Sequence, residues 1–80
     1  MSERAEDLGR RHDLREQRKR LVAECEALRD RGRRFLHPAD DIAALDREAF
    51  LHNAVALHQN LAELEGIDRK IAVLNRVLGE

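Results

Sequence analysis

Four histidines, one cysteine and sixteen carboxylates are the side chains here that could carry chemistry. Glu48 and His52 stand one helical turn apart, as do His12 and Glu16. Either pair could give a metal two ligands if a second subunit supplied the rest. No Glu is followed by His three residues on, so the usual di-iron helix-bundle pattern is absent. Cys25 has no Cys or His at zinc-ligand spacing, and the residues four away from it are Leu21 and Arg29. A nucleophilic thiol needs a base beside it. Cys25 therefore reads as a small apolar seam residue. Ser2 is the single serine, threonine is absent, and no Gly-rich phosphate loop occurs. The reading is a non-catalytic chain with no cofactor and no metal site.

A second possible chemistry is electrostatic. Residues 8–34 carry ten Lys/Arg against five Asp/Glu, whereas residues 37–80 carry four against eight. Arg10, Arg11, Arg15, Arg18, Lys19 and Arg20 could contact nucleic acid. Acids interrupt that run, and no aromatic stands within it to stack a base. Attraction between a basic arm and an acidic arm is the simpler use of the asymmetry. Nucleic-acid binding by a helical-hairpin dimer is kept as the alternative function.

These residues must be held by helices. The chain has 80 residues, 39% of them charged, two Phe, one Pro, and no Trp or Tyr. That composition points to long helices or a coiled coil in one domain. Apolar runs reach only four residues, as at 42–45, far short of the roughly 20 residues of a membrane span. The charged N-terminus is unlike a signal peptide. A lone cysteine forms no internal disulfide. A cytoplasmic protein that does not engage a membrane is expected.

Pro38 punctuates the chain. It lacks an amide donor and pushes His37 away from helical backbone. One helix is predicted over about 3–35, a turn over about 36–39, and a second helix over about 39–78. In the first, Leu14, Leu21, Leu28 and Phe35 recur every seven residues, interleaved with Arg18, Cys25 and Gly32. Glu6/Arg10, Asp7/Arg11, Glu16/Arg20 and Asp30/Arg34 have the spacing of helix-stabilising ion pairs. Gly9 should let the residues before about Leu8 fray. In the second, Phe50, Leu57, Leu64, Ile71 and Leu78 recur every seven, with Asn53, Asn60, Ile67 and Leu74 between them. The seam keeps phase across Gly66, so this helix is expected to be continuous. A second apolar stripe (Ile42, Leu45, Leu51, Val55, Leu61, Val73 and Val77) makes it apolar over a wider arc than one partner covers.

The fold predicted is all-α: an antiparallel, coiled-coil-like hairpin that assembles into a helical bundle as a homo-oligomer. A tight fold at His37-Pro38 would set Phe35 near Ile42, Leu28 against Phe50, Leu21 against Leu57 and Leu14 against Leu64. Ile71, Leu74 and Leu78 would then face only Asp7, Arg4 and Met1. The apolar face Ile67–Leu78 would lack a partner in its own chain. The expected function is that of a small interaction protein: an adaptor, structural subunit or chaperone-like module. Its partner would be its own copy, as a dimer or tetramer, or another helical protein. The docking residues on this reading are Phe50, Leu57, Leu64, Ile67, Ile71, Leu74 and Leu78. Asn53 and Asn60 would select register, unless the second stripe is the true core. In size and layout the hairpin is similar to small hairpin subunits of secretion chaperones and to dimeric RNA-binding hairpins, although no motif ties it to either.

Overall fold

The computed structural model describes residues 2–80. Met1, expected opposite Leu78, lies outside the described residues. Helix α1 runs Glu3–Phe35 and helix α2 runs Arg47–Val77, joined by a segment with a 3₁₀ turn at Ile42–Ala44. The two helices pack antiparallel into a rod with extents of 60 × 18 × 15 Å.

Each helix end has a local cause. Ser2 has extended backbone, and its hydroxyl accepts from the Ala5 amide at 3.2 Å, capping α1. With that cap, α1 is helical from Glu3 through Gly9, ahead of the expected fraying point. It stops at Phe35, two residues before the His37-Pro38 step. α2 passes unbroken through Gly66, as its seam predicted. It ends where Gly79 takes φ +79°, a left-handed conformation natural to glycine. The Gly79 amide then donates to the Arg76 carbonyl at 3.2 Å, and the Glu80 amide to the Asn75 carbonyl at 2.7 Å. This is the Schellman pattern, which satisfies two orphan carbonyls.

The start of α2 differs from the expectation. It begins at Arg47, not near residue 39. Asp46 caps it, accepting from the Ala49 amide at 3.1 Å. Asp41 instead caps the 3₁₀ turn, accepting from Ala43 at 3.1 Å, and His37 Nδ1 accepts from Ala39 at 3.2 Å. Residues 39–46 lie past the end of α1 and would have nothing to pack against as helix. Ile42 is left exposed in this connection. Carboxylates at 40, 41 and 46 all qualify as helix starters. The last is used because it is level with the end of the partner helix.

The longer connection moves the register by one heptad. Phe35 meets Phe50 edge-on, with ring centroids 6.0 Å apart and planes at 76°. The Asn53 side-chain amide donates to the Leu28 carbonyl at 2.9 Å, and that of Asn60 to the Glu24 carboxylate at 3.3 Å. Further along, Arg18 reaches Asp68 at 2.7 Å and Arg11 reaches Asn75 at 2.9 Å. Continued in this register, Leu28 lies level with Leu57, Leu21 with Leu64 and Leu14 with Ile71. The expected pairings of Leu28 with Phe50 and Leu14 with Leu64 are therefore replaced. Leu14, Leu21, Ile67 and Leu74 form the buried core, with Leu64 and Ile71 packed on it. Both helices contribute the heptad positions that the sequence marks.

The face Ile67–Leu78 thus has its partner within the chain. Ile67, Leu74 and Leu78 are among the most buried side chains, all under 7% exposed. The shifted register brings residues 7–18 of α1 over them. Arg11, only 7% exposed, closes this end of the seam. It donates to Asn75 and forms a two-point ion pair with Glu80, with the Nη2–Oε1 arm at 3.3 Å. The Schellman turn at Gly79 is what carries Glu80 back to meet it.

Candidate interaction surface

Residue types in α2 leave an apolar face on the side away from α1. Leu51, Val55, Val73 and Val77 are all exposed, with Leu51 at 63% and Val77 at 65%. Exposed Ala62 and half-buried Gly66 lie between them on the same face. At 100° per residue these six positions fall within about 80° of arc, opposite the seam. Leu51, Val55, Val73 and Val77 belong to the second stripe of the sequence, whereas Ala62 and Gly66 were not read as part of it. Next to it, a shallow groove lined by Arg10, Leu14, Arg69, Lys70, Val73 and Leu74 leads back toward α1. Leu61 adds a further exposed apolar side chain at the flank. The outer face of α1 is polar and alanine-rich by contrast, with Glu16, Lys19, Ala23 and Asp30 all exposed.

The residues expected to dock a partner are distributed differently. Ile67, Leu74 and Leu78 are buried against α1, and Phe50, Leu57, Leu64 and Ile71 are partly buried along the same seam. That seam is occupied within the chain. Asn53 is buried in it, and its Oδ1 has no hydrogen-bond partner among the described residues. Its amide nitrogen also sits 3.1 Å from where a Cβ on residue 32 would be, so Gly32 makes room for it. Asn60 is half-buried.

The basic arm is largely engaged with carboxylates. Arg10 pairs with Asp7 at 3.7 Å, Lys19 with Glu16 at 3.1 Å, Arg18 with Asp68 and Arg11 with Glu80. Arg15 and Arg20 are exposed without such a partner among the described residues. The hydrogen bond from Lys19 holds the Glu16 carboxyl below its ordinary pKa, and the bond from Arg11 does the same for Glu80. Bonding to Asp68 raises the Arg18 guanidinium further. None of the four i,i+4 pairs read from the sequence forms: buried Arg11 is committed to Asn75 and Glu80 across the seam, and the exposed cations gain little from any one carboxylate. Arg69 with Glu65 is the i,i+4 pair that does form.

Cys25 is buried in the seam. Among the described residues, no three His, Cys, Asp or Glu side chains gather into a group that could hold a metal ion. No described helix is long and apolar enough to cross a membrane. No family model, curated protein or solved structure matches the chain.

The outward stripe and the seam are both apolar in the sequence, and the docking residues were expected on the seam. The signal that separates them is the period. Seam residues recur at seven, whereas Leu51, Ala62 and Val73 recur at eleven, as do Val55, Gly66 and Val77.

Proposed function

We propose that this chain is a non-catalytic helical interaction module that engages its partner through the outward face of α2. The carrying observation is that α2 is apolar on both sides, while α1 covers only one. Large apolar side chains aligned on an exposed helix face mark an interaction site. Heptad pairing of the two helices makes a stiff rod that presents this face. The cross-helix bonds Arg18–Asp68 and Arg11–Glu80 support the reading of the basic arm as internal electrostatic pairing.

Site-specific photocrosslinking in the producing cell tests this. A benzophenone side chain at Leu51 or Val77 should give adducts, and one at Ala23, on the outer face of α1, should not. Adducts from Ala23 alone, or none from either α2 position, would sink the proposal.

A further inference from the structure

Resting on that reading, we infer that the partner is a second copy of this chain, bound α2 against α2 in antiparallel fashion about a two-fold axis level with residue 64. The stripe itself supports this. A two-fold interface must be self-complementary, the same patch serving both sides. The apolar positions of the stripe are placed symmetrically about residue 64. Antiparallel pairing there sets Leu51 against the partner's Val77, Val55 against the partner's Val73, and Ala62 against the partner's Gly66. Large residues meet at the two ends, and small ones meet at the centre.

Gly66 adds a second argument. A glycine inside a helix costs stability relative to alanine. Gly32 is accounted for by Asn53, but a Cβ at Gly66 would meet nothing within 4 Å in its own chain. The near-terminal Gly9 is equally free, yet it lies on α1, away from this face. At the centre of the stripe, the missing side chain lets a second helix approach closely. Arg69, which falls within the stripe, is already tied to Glu65 of its own helix.

Surface area gives a third. The chain exposes 6,362 Å². A compact monomer of its 9.2 kDa exposes roughly 4,900 Å². The surplus, about 1,400 Å², follows from the rod shape and leaves room for the ~800 Å² that each partner contributes to a standard stable interface. Among the described residues, no large side chain is fully buried. The stripe from Leu51 to Val77 offers about 39 Å of helix for a partner to cover. Eleven-residue spacing keeps it nearly straight along the axis, so two rods can lie side by side over that length. The product is a flat four-helix array in which the two α2 helices lie side by side at the centre and each α1 flanks its own α2, polar face outward.

The test is solution mass by light scattering with refractive-index detection, since no Trp or Tyr absorbs. The wild-type chain should be twice 9.2 kDa at micromolar concentration. Gly66→Gln and, separately, Val73→Lys should each weaken the dimer at least tenfold with helicity unchanged by circular dichroism. For orientation, chains carrying Val55→Cys and Val73→Cys are mixed and mildly oxidised, with buried Cys25 left in place. Disulfides between 55 and 73 should dominate over 55–55 and 73–73. A monomeric wild type, a dimer indifferent to both substitutions, or like-with-like disulfides would each overturn the inference. Crosslinks from the α2 face to a different protein would overturn self-pairing and leave the interaction reading standing, whereas crosslinks to nothing would remove both.

Discussion

Two faces of one helix differ in what holds them. The seam of α2 buries Leu74 to 6% exposure, while its neighbour Val73, on the outward face, is 49% exposed. Both faces carry large apolar side chains along the helix, the outward one interrupted by Gln59 and Arg69. One is matched by a helix whose own heptads keep step with it. The other has the wrong period to join that seam and is left facing solvent. An apolar surface is therefore not a core by virtue of composition. It becomes one when a partner of the same period and register is available, and α1 has only one such stripe to give.

The sharpest way to break this contrast is to truncate adjacent residues. Leu74→Ala removes a buried side chain and should cost about 2–4 kcal/mol. Val73→Ala should change the stability of the isolated hairpin by less than about 0.5 kcal/mol. Urea melts followed by circular dichroism, at concentrations low enough to keep chains apart, measure both. Equal losses would mean that the outward face is packed in the hairpin itself.

A smaller effect tests how the C-terminal end of the seam is closed. Gly79 sits at positive φ, where an added Cβ costs about 1 kcal/mol. Gly79→Ala should lower stability by about that much, and it should also displace Glu80 from Arg11. The strain should persist in an Arg11→Met background, and only the part of the loss due to the misplaced ion pair should vanish there. An unchanged penalty in both backgrounds would separate the turn from the ion pair.

The smallest expected effect is a pH dependence. Arg11 lowers the Glu80 carboxyl pKa in the folded chain. Such a carboxylate contributes stability above its unfolded pKa of about 4.3, and the contribution is lost as pH falls through the lower folded value. Glu16, lowered by Lys19 on the same helix, has the same sign. The thermal midpoint should fall below about pH 4, and Glu80→Gln should make that fall shallower while lowering the midpoint at pH 7. An identical acid profile in Glu80→Gln would show that the pair adds nothing in solution.

Much of the fold was legible in the residues. The seam positions Leu14, Leu21, Cys25, Ile67 and Leu74 stand out by period alone, and each is buried. The end of α1 was legible from Pro38, and the passage of α2 through Gly66 from the unbroken phase of its seam. The start of α2 was not, because Asp40, Asp41 and Asp46 are equivalent signals until the length of α1 is known. Register was not legible either. A seven-residue repeat slid by seven residues keeps the same two faces together and changes only which end of the seam is covered, so periodicity does not choose between the pairings. The Phe35–Phe50 contact and the seat for Asn53 beside Gly32 distinguish them, and these exist only between helices already in place.

The sequence alone determined that there are two long amphipathic helices, which side of α1 is apolar, and that α2 carries more apolar surface than one neighbour can cover. Its local alphabet of caps, breakers and spacing is enough for that, since each acts within a turn or two of the chain. Tertiary structure alone decided which of the two α2 faces is covered, and by which residues. That choice depends on side chains 50 to 70 positions apart, such as Arg18 with Asp68 and Arg11 with Glu80. The one-heptad shift turns the expected docking face Ile67–Leu78 into core and leaves Leu51, Val55, Val73 and Val77 in the open.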